Sequence, residues 1–381
     1  MQYVPFGHHG FSVSRLGFGC MRLPTRKEGD QDVLDEQRAI ALVRRGVDGG
    51  ISYIDTAYAY HNGQSETLLA KALKDGYRER VTLTTKLATW AVNEEKDMNR
   101  LLDEQLRKLD VAYLDFYILH ALNHDSFAKM QSFHYQDFFR QALKDGRIRY
   151  TGFSFHDDNA VFHQIMDDFD GWDMAQIQFN YLDDEHQATE EGLRYAGKRG
   201  VPVVVMEPLR GGAMANPPAE VRAMMERYPV QCSPVEWAFR YVGDFDQVAV
   251  MLSGMSDEAQ VQDNLRIFEN VRPGCLSDAD KRLIARLRAG YRKRMPIGCT
   301  GCAYCVPCPR GVGIPRLFAA YNEAAMFDRM ADFPRRYQSF AENEQDAGRC
   351  VRCGLCEGKC PQHLPIRDWL QAVHTAGQKS E

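Results

Sequence analysis

Nowhere in the 381-residue sequence do apolar residues run for the ~20 positions a membrane-spanning helix needs, so no membrane segment is expected. The opening MQYVPFGHHGFSVSRLGFGC has no basic stretch leading into an apolar segment of the signal-peptide kind, and a cytoplasmic protein is expected. Positive charge is not in excess: the net charge is -5, so nothing neutralises a phosphate backbone and no nucleic-acid partner is expected. No strand-like run is followed by G-x-G-x-x-G, which argues against an open doubly wound sheet. His61, His124 and His156 belong to no H-x-x-x-H pair with a nearby carboxylate, and read as polar rim residues rather than metal ligands.

What is present is globular: 44% hydrophobic and 26% charged residues suit one large domain and a smaller one. Eight short apolar or β-branched runs alternate with amphipathic segments: RLGFGCM, SYIDTAY, VTLTTKL, LDFYILH, YTGFSF, MAQIQFN, VPVVVME and VAVMLSG. Eight strand–helix units predict parallel strands closed into an α/β (β/α)8 TIM barrel. The RPGC at Arg272–Cys275 marks a boundary, dividing the chain into 1–274 and 275–381. From Cys275 onward 17 Lys and Arg face 11 Asp and Glu, a formal +6, so the tail is a distinct unit. The aromatics of QSFHYQDFFR fit either an interface or an ordinary barrel helix, and the oligomeric state stays open.

Eleven cysteines in a reducing compartment read first as metal ligands. Cys350, Cys353, Cys356 and Cys360, followed by Pro361, have the C-x2-C-x2-C-x3-C-P spacing of bacterial ferredoxins, in which three thiolates hold one [4Fe–4S] cube and the fourth reaches a second. Cys299, Cys302, Cys305 and Cys308, followed by Pro309, repeat the run with one residue fewer before the last cysteine. The crossed scheme assigns Cys299, Cys302, Cys305 and Cys360 to one cluster and Cys350, Cys353, Cys356 and Cys308 to the other. Structural zinc, the alternative, more often draws C-x2-C knuckles separated by a longer loop. The residues after Cys308 and Cys360 align at an offset of 52, so each run should turn at its proline and enter a helix of a mostly α-helical, ferredoxin-like domain. Cys20, Cys232 and Cys275 read as small buried thiols.

Asp55 and Tyr60, Lys86 and His120 fall at the ends of the second, third and fourth strand candidates, the face where barrel enzymes work. Singly they could be a cap, a loop aromatic, a solvated charge and a strand-end polar group. Together with GFSVSRLGFGCMRLP, DTAYAY, TTKL, LH, TGFSF and QIQFN, in that order over residues 1–270, they make the chain resemble the aldo-keto reductases, in the branch that carries a C-terminal domain with two [4Fe–4S] clusters. The resemblance implies a catalytic tetrad: Tyr60 donates the proton to the developing alkoxide, Lys86 lowers the tyrosine's pKa, Asp55 orients Lys86, and His120 hydrogen-bonds the carbonyl oxygen.

It also implies a nicotinamide cofactor held by Ser154, Gln176, Met206, Pro208, Leu209, Gly254 and Asn264. Phe155 stands where the family usually has asparagine, and Met206 where it has a stacking aromatic. The loop LSGMSDEAQVQDNLR offers Gly254, Ser256, Gln260, Asp263 and Asn264 where NADPH users place a cation for the 2′-phosphate, which leaves NADH and NADPH both open, with Arg210 a substitute phosphate contact or a surface charge. The pocket would be bounded by Met21, Tyr58, Tyr60, Trp90, His120 and the loops beyond, a lining for a small carbonyl or alcohol.

A nicotinamide delivers two electrons as hydride and a cube exchanges one, so direct coupling needs an intermediary such as a flavin, for which the sequence has no motif. Three readings follow: a carbonyl–alcohol oxidoreductase whose clusters exchange electrons with a ferredoxin-like partner, a reductase with structural or sensing clusters, and an electron-transfer subunit with a non-catalytic barrel.

Overall fold

The computed structural model describes residues 1–29 and 31–379. Eight parallel strands close into a barrel: β1 Leu16–Gly19, β2 Tyr53–Asp55, β3 Thr82–Leu87, β4 Leu114–Leu122, β5 Ile148–Phe155, β6 Ala175–Gln178, β7 Val203–Met206 and β8 Val248–Ser253. Each strand pairs with the next, and β8 returns to β1 through Met251–Leu16, Leu252–Gly17 and Ser253–Phe18. These are the eight runs read from sequence, and the (β/α)8 barrel they predict is the fold observed.

Side-chain alternation explains the closure. In β4, Phe116 and Ile118 join Tyr53, Met174, Val204 and Val250 in one buried cluster, while Tyr117 and Leu119 between them join the larger cluster shared with the surrounding helices. Space inside is short: a Cβ on Gly17 would stand 2.6 Å from Val250 Cγ1. The hairpin of Tyr3–Pro5 with Ser12–Ser14 adds Phe6 to the inner cluster, its ring 4.9 Å from Phe116. The helices are amphipathic in the expected way: Lys96–Leu109 buries Met98, Leu101, Leu102, Gln105 and Leu109, and stops where Asp110 turns left-handed (φ 54°).

A second compact unit comprises Ala213–Pro234 and Ala279–Glu381, and the barrel unit comprises Met1–Gly212 and Val235–Asp278. The segment after β7, which composition alone leaves within 1–274, is thus tied to the second unit. Its helix Ala219–Glu226 leads to Tyr228, whose hydroxyl donates to Asp280 Oδ1 at 3.0 Å. The second unit is helical: Asp278–Arg292, Ile314–Met326, Phe333–Glu342 and Ile366–Gly377. Ile297, Leu317, Phe318, Phe333, Tyr337, Leu370 and Val373 form its core, against which Cys299, Cys305, Cys308, Cys350, Cys356 and Cys360 pack. The helices that follow the two cysteine runs begin at Ile314 and Ile366, 52 residues apart as the internal repeat implies. Among the described residues no helix is long and apolar enough to cross a membrane.

Candidate active site and cysteine centres

Asp55 closes β2, Lys86 lies near the end of β3 and His120 near the end of β4, so three neighbouring strands deliver them to one rim of the barrel. Tyr60 comes from the turn after β2, held by its own N–H to the Ala57 carbonyl and by the Ser65 N–H to its carbonyl. His61, Asn62 and Gly63 follow with positive φ, a sharp reversal that leads into the helix Ser65–Ala72.

Lys86 is the hub. Its Nζ donates to Asp55 Oδ1 at 2.7 Å, to the Thr56 carbonyl at 2.7 Å and to the Tyr60 hydroxyl at 3.3 Å. With its side chain 1% exposed and that of Asp55 3%, the ammonium is charged only because all three of its hydrogens have acceptors. Burial acts to lower the Lys86 pKa, but the Asp55 charge and the hydrogen bonds to Asp55 and Tyr60 outweigh it and hold the lysine above its ordinary value. Burial raises the Asp55 carboxyl above the usual carboxylate range, with Lys86 pulling it back.

Tyr60 departs from expectation. Lys86 does pull its pKa down, but burial pushes harder and the hydroxyl ends above its ordinary value. The side chain is sunk among Asp55, Lys86 and Cys20, so the cost of a buried phenolate exceeds what one ammonium returns. Tyr60 is therefore a neutral hydroxyl that keeps its proton.

A bulge aims His120. Across β4 and β5, Leu119 faces Phe153 but Leu122 faces Phe155, so β4 carries one extra residue, and Ala121 takes up the irregularity with φ 55°. The Ala121 N–H donates to Ser154 Oγ at 2.7 Å and Thr89 Oγ1 donates to the His120 carbonyl at 3.0 Å, which fixes the backbone on both sides. The imidazole sits 6.0 Å from the Tyr60 ring and 5.0 Å from Trp90, centroid to centroid. Its Nδ1 is buried without a hydrogen-bond partner among the described residues. Burial, with Lys86 close by, drives the His120 pKa down to about 2, so the ring is neutral at any working pH.

The residues assigned to a nicotinamide are unevenly placed. Ser154 and Gln176 are buried on adjacent strands, in register across the β5–β6 pair. Ser154 Oγ already accepts from Ala121 and retains its hydrogen to donate; Gln176 Nε2 lies 3.8 Å from Met206 Sδ, and its Oε1 is buried and unpartnered among the described residues. One donor and one acceptor side by side fit a carboxamide. Pro208 is buried, Leu209 packs on the outer core, and Asn264 donates to Ser253 Oγ at 2.9 Å, pinning the end of β8. Gly254 is exposed.

Four further positions take surroundings that the motifs do not give. Phe155 is fully buried against Phe162, among the residues packed between strands and helices. Tyr58 packs towards the following helices, its ring 4.2 Å from Lys108 Nζ. Arg210 pairs with Asp183, Nε to Oδ2 at 3.3 Å. Arg22, which no motif marks, lies with its Cβ, Cγ and Cδ 3.1–3.3 Å from where a Gly254 Cβ would be and its Nη2 2.9 Å from that of Gly211. It stands beside the 252–266 loop although it comes from the end of β1, about 230 residues earlier in sequence. Met21 and Trp90 are 59% and 52% exposed.

In the second unit the cysteines surround two cavities. One is lined by Cys299, Cys302, Cys305 and Cys360. The other is lined by Cys308, Cys350, Cys353 and Cys356, with Cys305 between the two. Each cavity thus gathers three cysteines of one run and the last of the other. Cys302 and Cys353 are exposed and the other six half-buried. Burial raises the Cys299, Cys305 and Cys356 thiols, while backbone N–H groups of Gly301, Cys305, Cys356 and Glu357 hydrogen-bond those sulfurs and favour the thiolate. Four soft donors around a void, with amides turned to the sulfurs, fit an iron–sulfur cube.

The aldo/keto reductase family model matches residues 15–273, and a 4Fe-4S dicluster domain model matches residues 298–365. The chain is 35% identical to aldo-keto reductase YhdN of Bacillus subtilis over 128 residues, 32% of this chain and 38% of that protein. It is 31% identical to "Probable aldo-keto reductase 1" of Glycine max over 163 residues, 40% of this chain and 45% of the relative, so these matches span under half of each curated relative's length. The methylglyoxal reductase YeaE of Escherichia coli is 25% identical over 66% of this chain and 87% of its own. Among solved structures, the holo form of aldo-keto reductase AKR11C1 from Bacillus halodurans superposes with a TM-score of 0.61 at 26% identity, covering 75% of this chain and 96% of that one. An aldo-keto reductase from Klebsiella pneumoniae, solved with NADPH, gives 0.58 at 22% identity over 75% and 95%, a likeness of fold. With a closed eight-stranded barrel beneath a family match that spans most of its length, the chain belongs to the aldo/keto reductase family and carries a 4Fe-4S dicluster domain that follows the barrel in sequence.

Proposed function

We propose that the barrel is a carbonyl–alcohol oxidoreductase acting on a small oxygenated substrate, and that the second unit holds two [4Fe–4S] clusters for electron transfer. The observation that carries the first part is the Lys86 ammonium bonded at once to Asp55, Thr56 and Tyr60 at the rim of the barrel. A nicotinamide nucleotide, when bound, supplies or accepts the hydride. Ser154 would donate to its carboxamide oxygen and Gln176 Oε1 accept from its amide nitrogen, fixing which face of the ring is presented. Met206 would pack against the ring, and Arg22 beside Gly254 would offer the nucleotide phosphates a cation. Tyr60 then gives its proton to the alkoxide oxygen that forms in reduction, and takes it back in oxidation. Lys86 stabilises the tyrosinate left behind, so the cost of losing the proton falls at the moment of transfer. Neutral His120 donates a hydrogen bond to the carbonyl oxygen and orients it. Asp55 keeps Lys86 charged and in place.

The methylglyoxal reductase activity of the Escherichia coli relative makes short aldehydes and ketoaldehydes the first compounds to assay. The cysteine sets would hold the clusters as Cys299, Cys302, Cys305 and Cys360, and as Cys350, Cys353, Cys356 and Cys308, with a small ferredoxin-like protein as the external electron carrier.

The deciding experiment is an anaerobic titration of protein assayed for iron and acid-labile sulfide, adding NADH, NADPH and then dithionite while cluster absorbance and EPR are followed. Bleaching by a nicotinamide couples the halves and calls for a converter between two-electron and one-electron chemistry. Bleaching by dithionite alone separates them, leaving a carbonyl reductase beside clusters that serve another donor. Protein with neither iron nor sulfide overturns the cluster reading.

A further inference from the structure

The two cysteine cavities are alike in donors and unlike in the charge of the other side chains that line them. Around Cys299, Cys302, Cys305 and Cys360 the other lining side chains are neutral: Phe318, Leu364 and Ile366 are apolar, and Thr300 and Gln362 are uncharged. Around Cys308, Cys350, Cys353 and Cys356 the lining includes Arg310, Lys359 and Arg367. No carboxylate lines either cavity among the described residues.

The three cations are not equivalent. Arg367 is tied to Glu357: its guanidinium Nε donates to Oε2 at 2.8 Å and its Nη2 lies 2.7 Å from the same oxygen, so much of its charge is met. Arg310 and Lys359 have no ion-pair partner among the described residues. Both are exposed, so solvent weakens their fields without abolishing them at the distance of a cavity wall.

Adding one electron to an iron–sulfur cube adds one negative charge and changes no bond and no protonation, so its reduction potential tracks the charge and polarity of its surroundings. Resting on the reading that both cavities hold [4Fe–4S] clusters, we infer that Arg310 and Lys359, with a smaller share from Arg367, make the Cys308/Cys350/Cys353/Cys356 site the higher-potential site of the two. The first electron to enter the second unit then resides at that site. The apolar site, with no cation to offset the added charge, fills second. The domain is a graded pair rather than two equal stores, and the order is set by residues that bind no iron.

The test is an anaerobic redox titration of the full chain followed by EPR and visible absorbance, with iron and sulfide measured on every sample. The expected wild-type result is two one-electron waves. In R310Q/K359Q the upper wave moves down by at least tenfold in its equilibrium constant, about 59 mV for one electron, while the lower wave stays. Gln362→Lys, which places a cation at the neutral site, raises the lower wave and leaves the upper. Two coincident waves, or a lower wave that falls in R310Q/K359Q, overturn the inference with the cluster reading intact. Wild-type protein lacking iron and sulfide overturns both. If R310Q/K359Q does not load, the Gln362→Lys titration decides alone: a raised lower wave supports the inference and an unmoved one sinks it.

Discussion

The ammonium of Lys86 stands 3.3 Å from the Tyr60 hydroxyl and 4.9 Å from the centre of its ring, yet the tyrosine's pKa lies above its ordinary value. One buried cation does not repay the burial of a phenolate. The hydroxyl is therefore a proton store, and Lys86 matters most when the proton has left.

Tyr60→Phe removes the hydroxyl that gives up the proton and keeps the ring. Carbonyl reduction should fall by about 10²–10⁴-fold or more, the usual worth of a positioned acid. Nucleotide binding, followed by quenching of tryptophan fluorescence, should be unchanged. A variant that still turns over near the wild-type rate would remove Tyr60 from the chemistry.

The raised Tyr60 pKa sets the sign of the alkaline pH dependence. Reduction uses the protonated form, so kcat/KM for reduction should stay level past the ordinary tyrosine value of about 10 instead of declining before it. Oxidation needs the tyrosinate and should keep rising over the same range. Lys86→Met, by removing the group that pulls the pKa down, should move both limbs to still higher pH in whatever activity remains.

His120, held neutral down to about pH 2, should contribute no inflection near 6.5 to kcat/KM. The unfolded chain binds a proton at this residue below about 6.5 while the folded protein does not, so this part of the stability is complete above 6.5 and is lost progressively as pH falls towards 2. Urea midpoints measured from pH 7 to 4 should fall less steeply for His120→Gln than for the parent.

Asp55→Asn leaves a buried ammonium without its counter-ion and should cost about 3–5 kcal/mol, read from urea denaturation. The double variant Asp55→Leu with Lys86→Met removes both charges and should recover part of that loss while remaining inactive. Equal losses in the single and double variants would mean that the pair is less buried than its 1% and 3% exposure indicates.

The crossed cysteine sets make an unusual prediction about residues distant in sequence. Cys360→Ala should lose the same EPR signal as Cys299→Ala, and Cys308→Ala the same as Cys353→Ala, each with iron and sulfide near half. If Cys360→Ala instead matches Cys350→Ala, each run binds its own cluster.

Periodicity and spacing by themselves specify much of this molecule. Eight apolar runs parted by amphipathic helices leave little besides a closed barrel, because parallel strands need crossover helices and eight of them close. Cysteines at C-x2-C-x2-C spacing in runs that end in Cys-Pro point to a soft metal centre, since such spacing is a property of a few bonds of local chain. The strand ends also show where Asp55, Lys86 and His120 emerge.

Only the closed structure decided the rest. Tyr58 and Phe155 face the helices because the packing on either side of a strand is set by neighbours far along the chain. Arg22 reaches Gly254 because β1 and β8 are adjacent in the barrel while almost the whole barrel sequence lies between them. The bulge at Ala121 that aims His120 depends on a register with β5 that no window of sequence contains. The proton on Tyr60 is the balance between burial and one ammonium, and the cations at one cysteine cavity but not the other come from how two loops fold together. Local pattern reports which residues can form an element, but a sum of charges and desolvation exists only once distant elements share one space.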